Sequence, residues 1–207
     1  MAGAREGGRE RGKSDPIDAL AVARAAVREG IDRLPAAQLE GETLQLRLLL
    51  DHREDLVAQR SDEQRRLRWH LHALGLGDDI SAGALDRKVW LERIARRLTR
   101  APRDARVRIA RELVRSIAAK TRRARELERE IAAIAAQQAP QLLAQPGCGA
   151  LTAAKLIAEI AGAERFSSDA KLARAAGVAP IPASSGRRDR HRLDRGGNRQ
   201  LNCALHR

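Results

Sequence analysis

Residues 104–138 read DARVRIARELVRSIAAKTRRARELEREIAAIAAQQ. Within them Ala110, Leu113, Ile117, Lys120, Ala124, Leu127, Ile131 and Ile134 follow one another at alternating steps of three and four. Those steps return a side chain to the same stripe of a helix, and over about four heptads they make a helix–helix seam. Arginine and glutamate fill the flanks, and Lys120 interrupts the seam, as a polar residue that sets register does. Two arrangements satisfy the pattern. One is a coiled-coil arm, pairing with a second copy or folding back on 40–74; the other is one amphipathic helix of a bundle.

Upstream, Leu49, Leu56, Leu67, Leu71 and Leu74 fall near helical spacing within 40–74, and Gly75-Leu76-Gly77-Asp78-Asp79 breaks that run. Leu85, Val89, Ile94 and Leu98 predict a short amphipathic helix over 85–98, closed by Pro102. Asp15-Pro16-Ile17-Asp18 opens another helix, with Asp15 as N-cap, Pro16 at the first helical position and Asp18 in the first turn. Gly30 and Pro35 end it. Residues 1–14 are glycine-rich and charged, with almost nothing apolar, and read as a disordered leader.

Composition agrees. Hydrophobic residues make up 43% of the 207, enough for a core, but the aromatics reduce to Trp69, Trp90 and Phe166. Alanine, leucine, arginine and glutamate dominate, which are good helix formers, so an all-α protein is expected. Forty cationic side chains against 27 acidic ones give a net charge of +13, which favours polyanionic partners. Only five of those cations are lysines, so a compositional arginine bias competes as the explanation. Cys148 and Cys203 fit no zinc spacing. With no apolar run near the length of a membrane span and no signal-peptide core, a cytoplasmic protein without membrane contact is expected.

Pro140 and Pro146 bracket a linker, and beyond it the texture changes. Gln145-Pro146-Gly147-Cys148-Gly149 precedes a clean helix over 150–161. Two glycines at a helix start leave backbone N–H groups open and let a phosphate come close. The sequence resembles the hairpin of helix-hairpin-helix motifs, which hold the DNA backbone without reading bases. Gly147, Gly149, Thr152 and Lys155 would then lie near a phosphate; an ordinary glycine turn reads the same way. Over 186–207, Arg187, Arg188, Arg190, Arg192, Arg195, Arg199 and Arg207 stand against Asp189 and Asp194, a local charge of +5. No apolar stripe accounts for the run; a phosphate-binding surface or a solvated tail would. Just before it, Ser184-Ser185-Gly186 offers a nucleophile beside cations that would neutralise charge developing on phosphorus.

Residues 142–205 resemble the C-terminal domain of the IS110 family of insertion-sequence transposases. The resemblance runs in order through the glycine hairpin, Arg165-Phe166, Lys171-Leu172-Ala173, Gly177-Val178-Ala179-Pro180, Ser184-Ser185-Gly186 and Gly197-Asn198-Arg199. Near the N-terminus, KSDPIDALAVA is similar to that family's Lys-x-Asp-x-x-Asp-Ala motif. The resemblance implies a RuvC-like nuclease domain with four acidic metal ligands, a coiled-coil connector, and a domain carrying a nucleophilic serine that forms a covalent DNA intermediate. It also implies oligomers and a structured guide RNA. Carried onto this chain, Asp15 and Asp18 are the last two acidic ligands, for Mg²⁺, and Ser185 is the nucleophile with Ser184 as the alternative.

Only fourteen residues precede Asp15, and they do not read as strands carrying the first two ligands. The expectation is a truncated copy: 1–14 a leader, 15–35 the edge of a nuclease domain, 40–138 helical coiled-coil arms that bring copies together, and 142–207 the DNA-engaging domain. By family it is a transposase, but half an acidic site predicts a chain that binds DNA or RNA and does not transpose alone. The competing readings are a non-catalytic nucleic-acid binder and an inert fragment that self-associates.

Overall fold

The computed structural model describes residues 15–30, 40–102, 104–184, 190–192 and 194–206. These residues form eight α-helices and a pair of two-residue strands, so the all-α expectation holds. The chain makes two compact units, 1–39 and 40–207.

In the first unit, α1 runs Asp15–Glu29. Asp15 and Asp18 both stand in its first turn. Gly30, at φ +83°, ends the helix in the left-handed region that glycine enters without a Cβ clash.

The second unit is organised by two long helices, α2 (Glu42–Ala73) and α4 (Ala105–Gln138). Their side-chain contacts fix the direction. Gln138 Nε2 donates to Glu42, Arg53 pairs with Glu128, Ser116 and Lys120 donate to Glu63, and Arg106 reaches the Ala73 carbonyl. As numbers rise along α2 they fall along α4, so the pair is an antiparallel hairpin within one chain. The apolar seam of 104–138 is therefore covered by 40–74.

The buried stripe of α4 is Val107, Ala110, Leu113, Val114, Ile117, Thr121, Ala124, Leu127, Ile131 and Ala135. It departs from the strict heptad at two positions. Thr121 is buried where Lys120 is expected, and Ala135 replaces Ile134 as the fully buried residue of its turn. A straight helix of 3.6 residues per turn drifts against a 3.5 repeat. Lys120 turns to the edge of the seam, where its ammonium donates to Glu63 at 2.9 Å and Ser116 at 2.8 Å.

Two apolar cores close the hairpin at its ends. At the α2 C-terminal end, Leu67 and Leu71 pack with Leu91, Ile94 and Leu98 of α3 (Lys88–Arg100) and with Val107–Ile117 of α4. The turn into this core follows from Gly75. Its N–H donates to the His72 carbonyl (3.0 Å) and that of Leu76 to Leu71 (2.9 Å), the two bonds that stop a helix at a left-handed glycine. A 3₁₀ turn at Ala84–Asp86 and extended backbone at Arg87 then restart the chain, so α3 begins at Lys88 and not at Leu85. That phase shift buries Leu91 and leaves Val89 exposed, contrary to the expected face. Asp104 caps α4 by accepting from the Val107 N–H at 2.7 Å.

At the other end, Leu46 and Leu50 of α2 and Leu127, Ile131 and Ala135 of α4 pack with Ala153, Ala154 and Ala158 of α6 (Ala150–Ile160). The expected linker between Pro140 and Pro146 contains a one-turn helix, α5 (Pro140–Leu143), with Pro140 at its start. After α6 come α7 (Asp169–Ala175), β1 (Ile181–Pro182) paired antiparallel with β2 (His191–Arg192), and α8 (Arg199–Leu205).

Candidate nucleic-acid interface

The C-terminal segment is assembled on α6. Its N-terminus is presented by the turn after α5. The Cys148 N–H donates to the Gln145 carbonyl at 3.1 Å, and Gly147 sits at φ +83°. Gly149 is the N-cap, and no side chain caps the helix. Gly147 and Gly149 are exposed, and Thr152 is half-buried in the first turn. The backbone donors of that turn, with the positive end of the helix dipole, face outward as an anion would require.

Lys155 does not join them. It is 6% exposed, and its ammonium donates to Glu54 of α2 at 2.5 Å. The helix carries Lys155 round to the face that packs on α2 and α4, so the cation expected beside a phosphate is an internal ion-pair partner.

The other end of α6 holds the basic segment. Asn198 caps α8, accepting from the N–H groups of Gln200 and Leu201 at 2.9 Å each, while its amide donates to Glu159 of α6 at 2.6 Å. Asn202 donates to the carbonyls of Ala176 and Gly177 at 3.1 and 3.3 Å, and Leu201 and Ala204 are buried. Gly177 (φ +68°) and Gly197 cross backbone to backbone: a Cβ on Gly197 would lie 2.3 Å from the Gly177 nitrogen. Two glycines far apart in sequence are thus needed at one crossing, which brings Gly177-Val178-Ala179-Pro180 and Gly197-Asn198-Arg199 together.

Between these anchors, β1 and β2 form the base of a hairpin, with Ile181 opposite Arg192 and Pro182 opposite His191. Ala183 N–H donates to the Arg190 carbonyl at 2.7 Å, and Arg190 N–H donates to Ser184 Oγ at 3.3 Å. Ser184 therefore stands at the mouth of the hairpin, exposed, against Arg190, with Arg192 two residues further along the opposite strand. Arg190, Arg192, Arg195 and Arg199 are all exposed. Ser185, Arg187 and Arg188 lie outside the described residues. Glu159, which holds Asn198, lies about 15 Å along α6 from Gly149 at about 1.5 Å per residue. The glycine turn and the arginine segment therefore stand at the two ends of one helix.

Sequence reasoning missed the pieces that hold this arrangement, Glu54, Glu159 and Asn202. It quoted Asn198 without a role, although an asparagine directly before a helix is a capping signal.

Asp15 and Asp18 share the first turn of α1. Among the described residues no third acid, histidine or cysteine joins them in a cluster. The displaced pKa values belong elsewhere: the Arg97 guanidinium, helped by Arg93, holds the Asp79 carboxyl at about 2, and Asp79 in turn raises Arg97. No helix among the described residues is long and apolar enough to cross a membrane.

Residues 139–207 match a family model described as Transposase IS116/IS110/IS902 family. Residues 1–75 match a second, for DEDD transposases of the IS110 type, described as Transposase. Residues 76–138, which include α3 and all of α4, lie outside both matches. No curated protein matches the chain.

Proposed function

Because this chain belongs to the IS110 family of insertion-sequence transposases, we propose that its C-terminal segment holds a DNA backbone and presents a serine to one scissile phosphate. The observation that carries this reading is the mouth of the β1–β2 hairpin, where Ser184 Oγ is tied to the backbone of Arg190 beside the exposed Arg192. The turn at Gly147 and Gly149 engages a second phosphate through open N–H groups at the far end of α6. Neither element reads bases, so the contact positions DNA and another component selects the site.

In the proposed step the serine oxygen, Ser185 first and Ser184 as the alternative, forms a bond to phosphorus. The phosphorus–oxygen bond to the leaving strand breaks, and that strand departs as a hydroxyl carrying the proton the serine gives up. The arginines stabilise charge on the non-bridging oxygens as it develops. DEDD transposases use a divalent metal, and Mg²⁺ is the ion proposed here, with Asp15 and Asp18 as its two ligands from this chain. A structured guide RNA and further copies of the chain complete the proposed assembly, which acts in the cytoplasm. The second reading is a binder without catalysis.

The two readings separate on a denaturing gel of the full chain incubated with labelled duplex and Mg²⁺. The catalytic reading predicts a covalent protein–DNA species that Ser185→Ala or Ser184→Ala removes while binding stays within about twofold. An adduct that survives both substitutions refutes the serine mechanism, and no adduct under conditions of full binding leaves the binder.

A further inference from the structure

The outward face of α4 carries a feature that neither family match reaches. Arg108, Arg111, Arg115, Arg122, Arg125 and Arg129 follow one another at steps of three, four, seven, three and four. At 3.6 residues per turn all six fall within an arc of about 100°. Five are exposed and Arg111 is half-buried. Among the described residues none of the six has a hydrogen-bond or ion-pair partner, whereas Arg123, off the stripe, pairs with Glu126 at 3.3 Å. Glu112 and Glu126 stand on the margin, the latter paired with Arg123, and Glu92 of α3, which lines the groove beside Arg115, Arg122 and Arg125, is paired with Lys88 at 3.6 Å.

Like charges at these spacings destabilise an isolated helix. The same helix carries four glutamates, of which Glu128 is committed to Arg53 across the hairpin. A solvated face of a structural arm is usually laced with opposite charges; this one is kept positive.

The stripe divides into two triplets, 108-111-115 and 122-125-129, centred on Arg111 and Arg125. Fourteen residues at about 1.5 Å each put those centres about 21 Å apart. Between them stands Ala118, beside a groove of about 400 Å³ whose floor includes Ala95 and Val114. On α4 itself that gap holds only Ala118, while Lys88, Leu91 and Glu92 of α3 line the far side of the groove. Flexible arginines at that distance can reach the two backbones flanking a groove about 12 Å wide. No aromatic side chain lies on the stripe, so it lacks the stacking platform that holds single strands.

We propose that this face of α4 is a second, sequence-independent track for the phosphate backbone of double-helical DNA. It is separate from the C-terminal interface and needs nothing from it.

The test is a salt titration of binding by the full chain, by anisotropy, to a DNA duplex of about three helical turns, with the RNA duplex of the same sequence beside it; tighter binding of the RNA form overturns the proposal. Arg115→Gln/Arg122→Gln/Arg125→Gln is compared with Arg47→Gln/Arg66→Gln/Arg100→Gln, which changes the net charge equally at exposed sites off the stripe. Thermal unfolding confirms that both variants fold. The track predicts that the first triple weakens binding at least about tenfold and flattens the log–log slope by about two to three, near 0.9 for each phosphate no longer neutralised. The second triple should weaken binding less than a third as much. If the two triples behave alike, or the unaltered chain binds neither duplex, the proposal is overturned. A weakening on Arg190→Gln/Arg192→Gln with no difference between the triples sinks the track alone and leaves the C-terminal reading standing.

Discussion

The two ends of the α2–α4 hairpin are closed by different means. At the α3 end large side chains interlock: Leu67, Leu71, Leu85, Ile94, Leu98 and Ile117 are all buried to within 1%. At the α6 end the incoming helix offers Ala153, Ala154 and Ala158, and its central buried position is Lys155, paired with Glu54. Between Leu50 and Leu67 α2 has no fully buried apolar side chain; Arg53–Glu128 and Glu63–Lys120 cross the seam there, and Arg60 and Gln64 reach Asp86 of the 3₁₀ turn. Area removed from water favours the α3 end, since stabilisation scales with buried apolar surface. The α6 end presents small side chains, and the segment proposed to engage DNA is mounted there. The larger apolar core and the proposed site are thus at opposite ends of one scaffold.

That contrast can be broken by substitution. Ile117→Ala, in the large-residue core, should cost about 3 kcal/mol in chemical denaturation, from the forfeited transfer energy plus the cavity left behind. A cost under about 1 kcal/mol would mean that the α3 end is not the stable one. Ala154→Leu should cost about 2 kcal/mol by overpacking. It should also loosen α6 and weaken DNA binding, whereas Ile117→Ala leaves binding intact while the chain is folded. If both variants change binding equally, the two ends are not independent.

Lys155→Met sharpens the comparison further. The lysine is nearly buried but Glu54 is 37% exposed, so water partly compensates the orphaned carboxylate and the destabilisation should be about 1–2 kcal/mol. Glu54→Leu/Lys155→Met, which removes both charges, should recover most of it. A Lys155→Met variant with unchanged stability and a flatter salt dependence of binding would instead restore Lys155 to the phosphate interface.

Much of this was legible in the sequence, and the misses share a cause. The seam of 104–138, the break at Gly75, the helix over 150–161 and the basic helix after Asn198 are local patterns, set by period, glycine and cap. The burial of Lys155 depends on where Glu54 of another helix arrives, and no local period encodes that. Val89 and Leu91 exchange faces because the 3₁₀ turn at Ala84–Asp86 resets the phase of α3. Gly177 and Gly197 each read as a turn residue; that they need each other is a tertiary fact. Of the two nucleophile candidates only Ser184 lies among the described residues, so the choice between them rests on the gel assay.

The smallest expected effect concerns pH at the α3 end. Arg97 and Arg93 hold the Asp79 carboxyl at about 2, below its ordinary 3.8. A carboxyl with a depressed folded pKa contributes stability above the unfolded value and loses it as pH falls through the folded one. Between pH 4 and 2 the unaltered chain should therefore lose slightly more melting temperature than Asp79→Asn, with no difference in slope above pH 5. Parallel curves across the whole range would show that the Asp79–Arg97 pair adds nothing.

The central claim is that the segment mounted on α6 holds a phosphate backbone. Its most direct test is the salt dependence of duplex binding by the full chain, compared with Arg190→Gln/Arg192→Gln/Arg195→Gln/Arg199→Gln. The account predicts a linear log–log fall for the unaltered chain and a variant slope shallower by about three to four, near 0.9 for each phosphate that the missing arginines would have neutralised. A variant that binds with the same affinity and the same slope would contradict it.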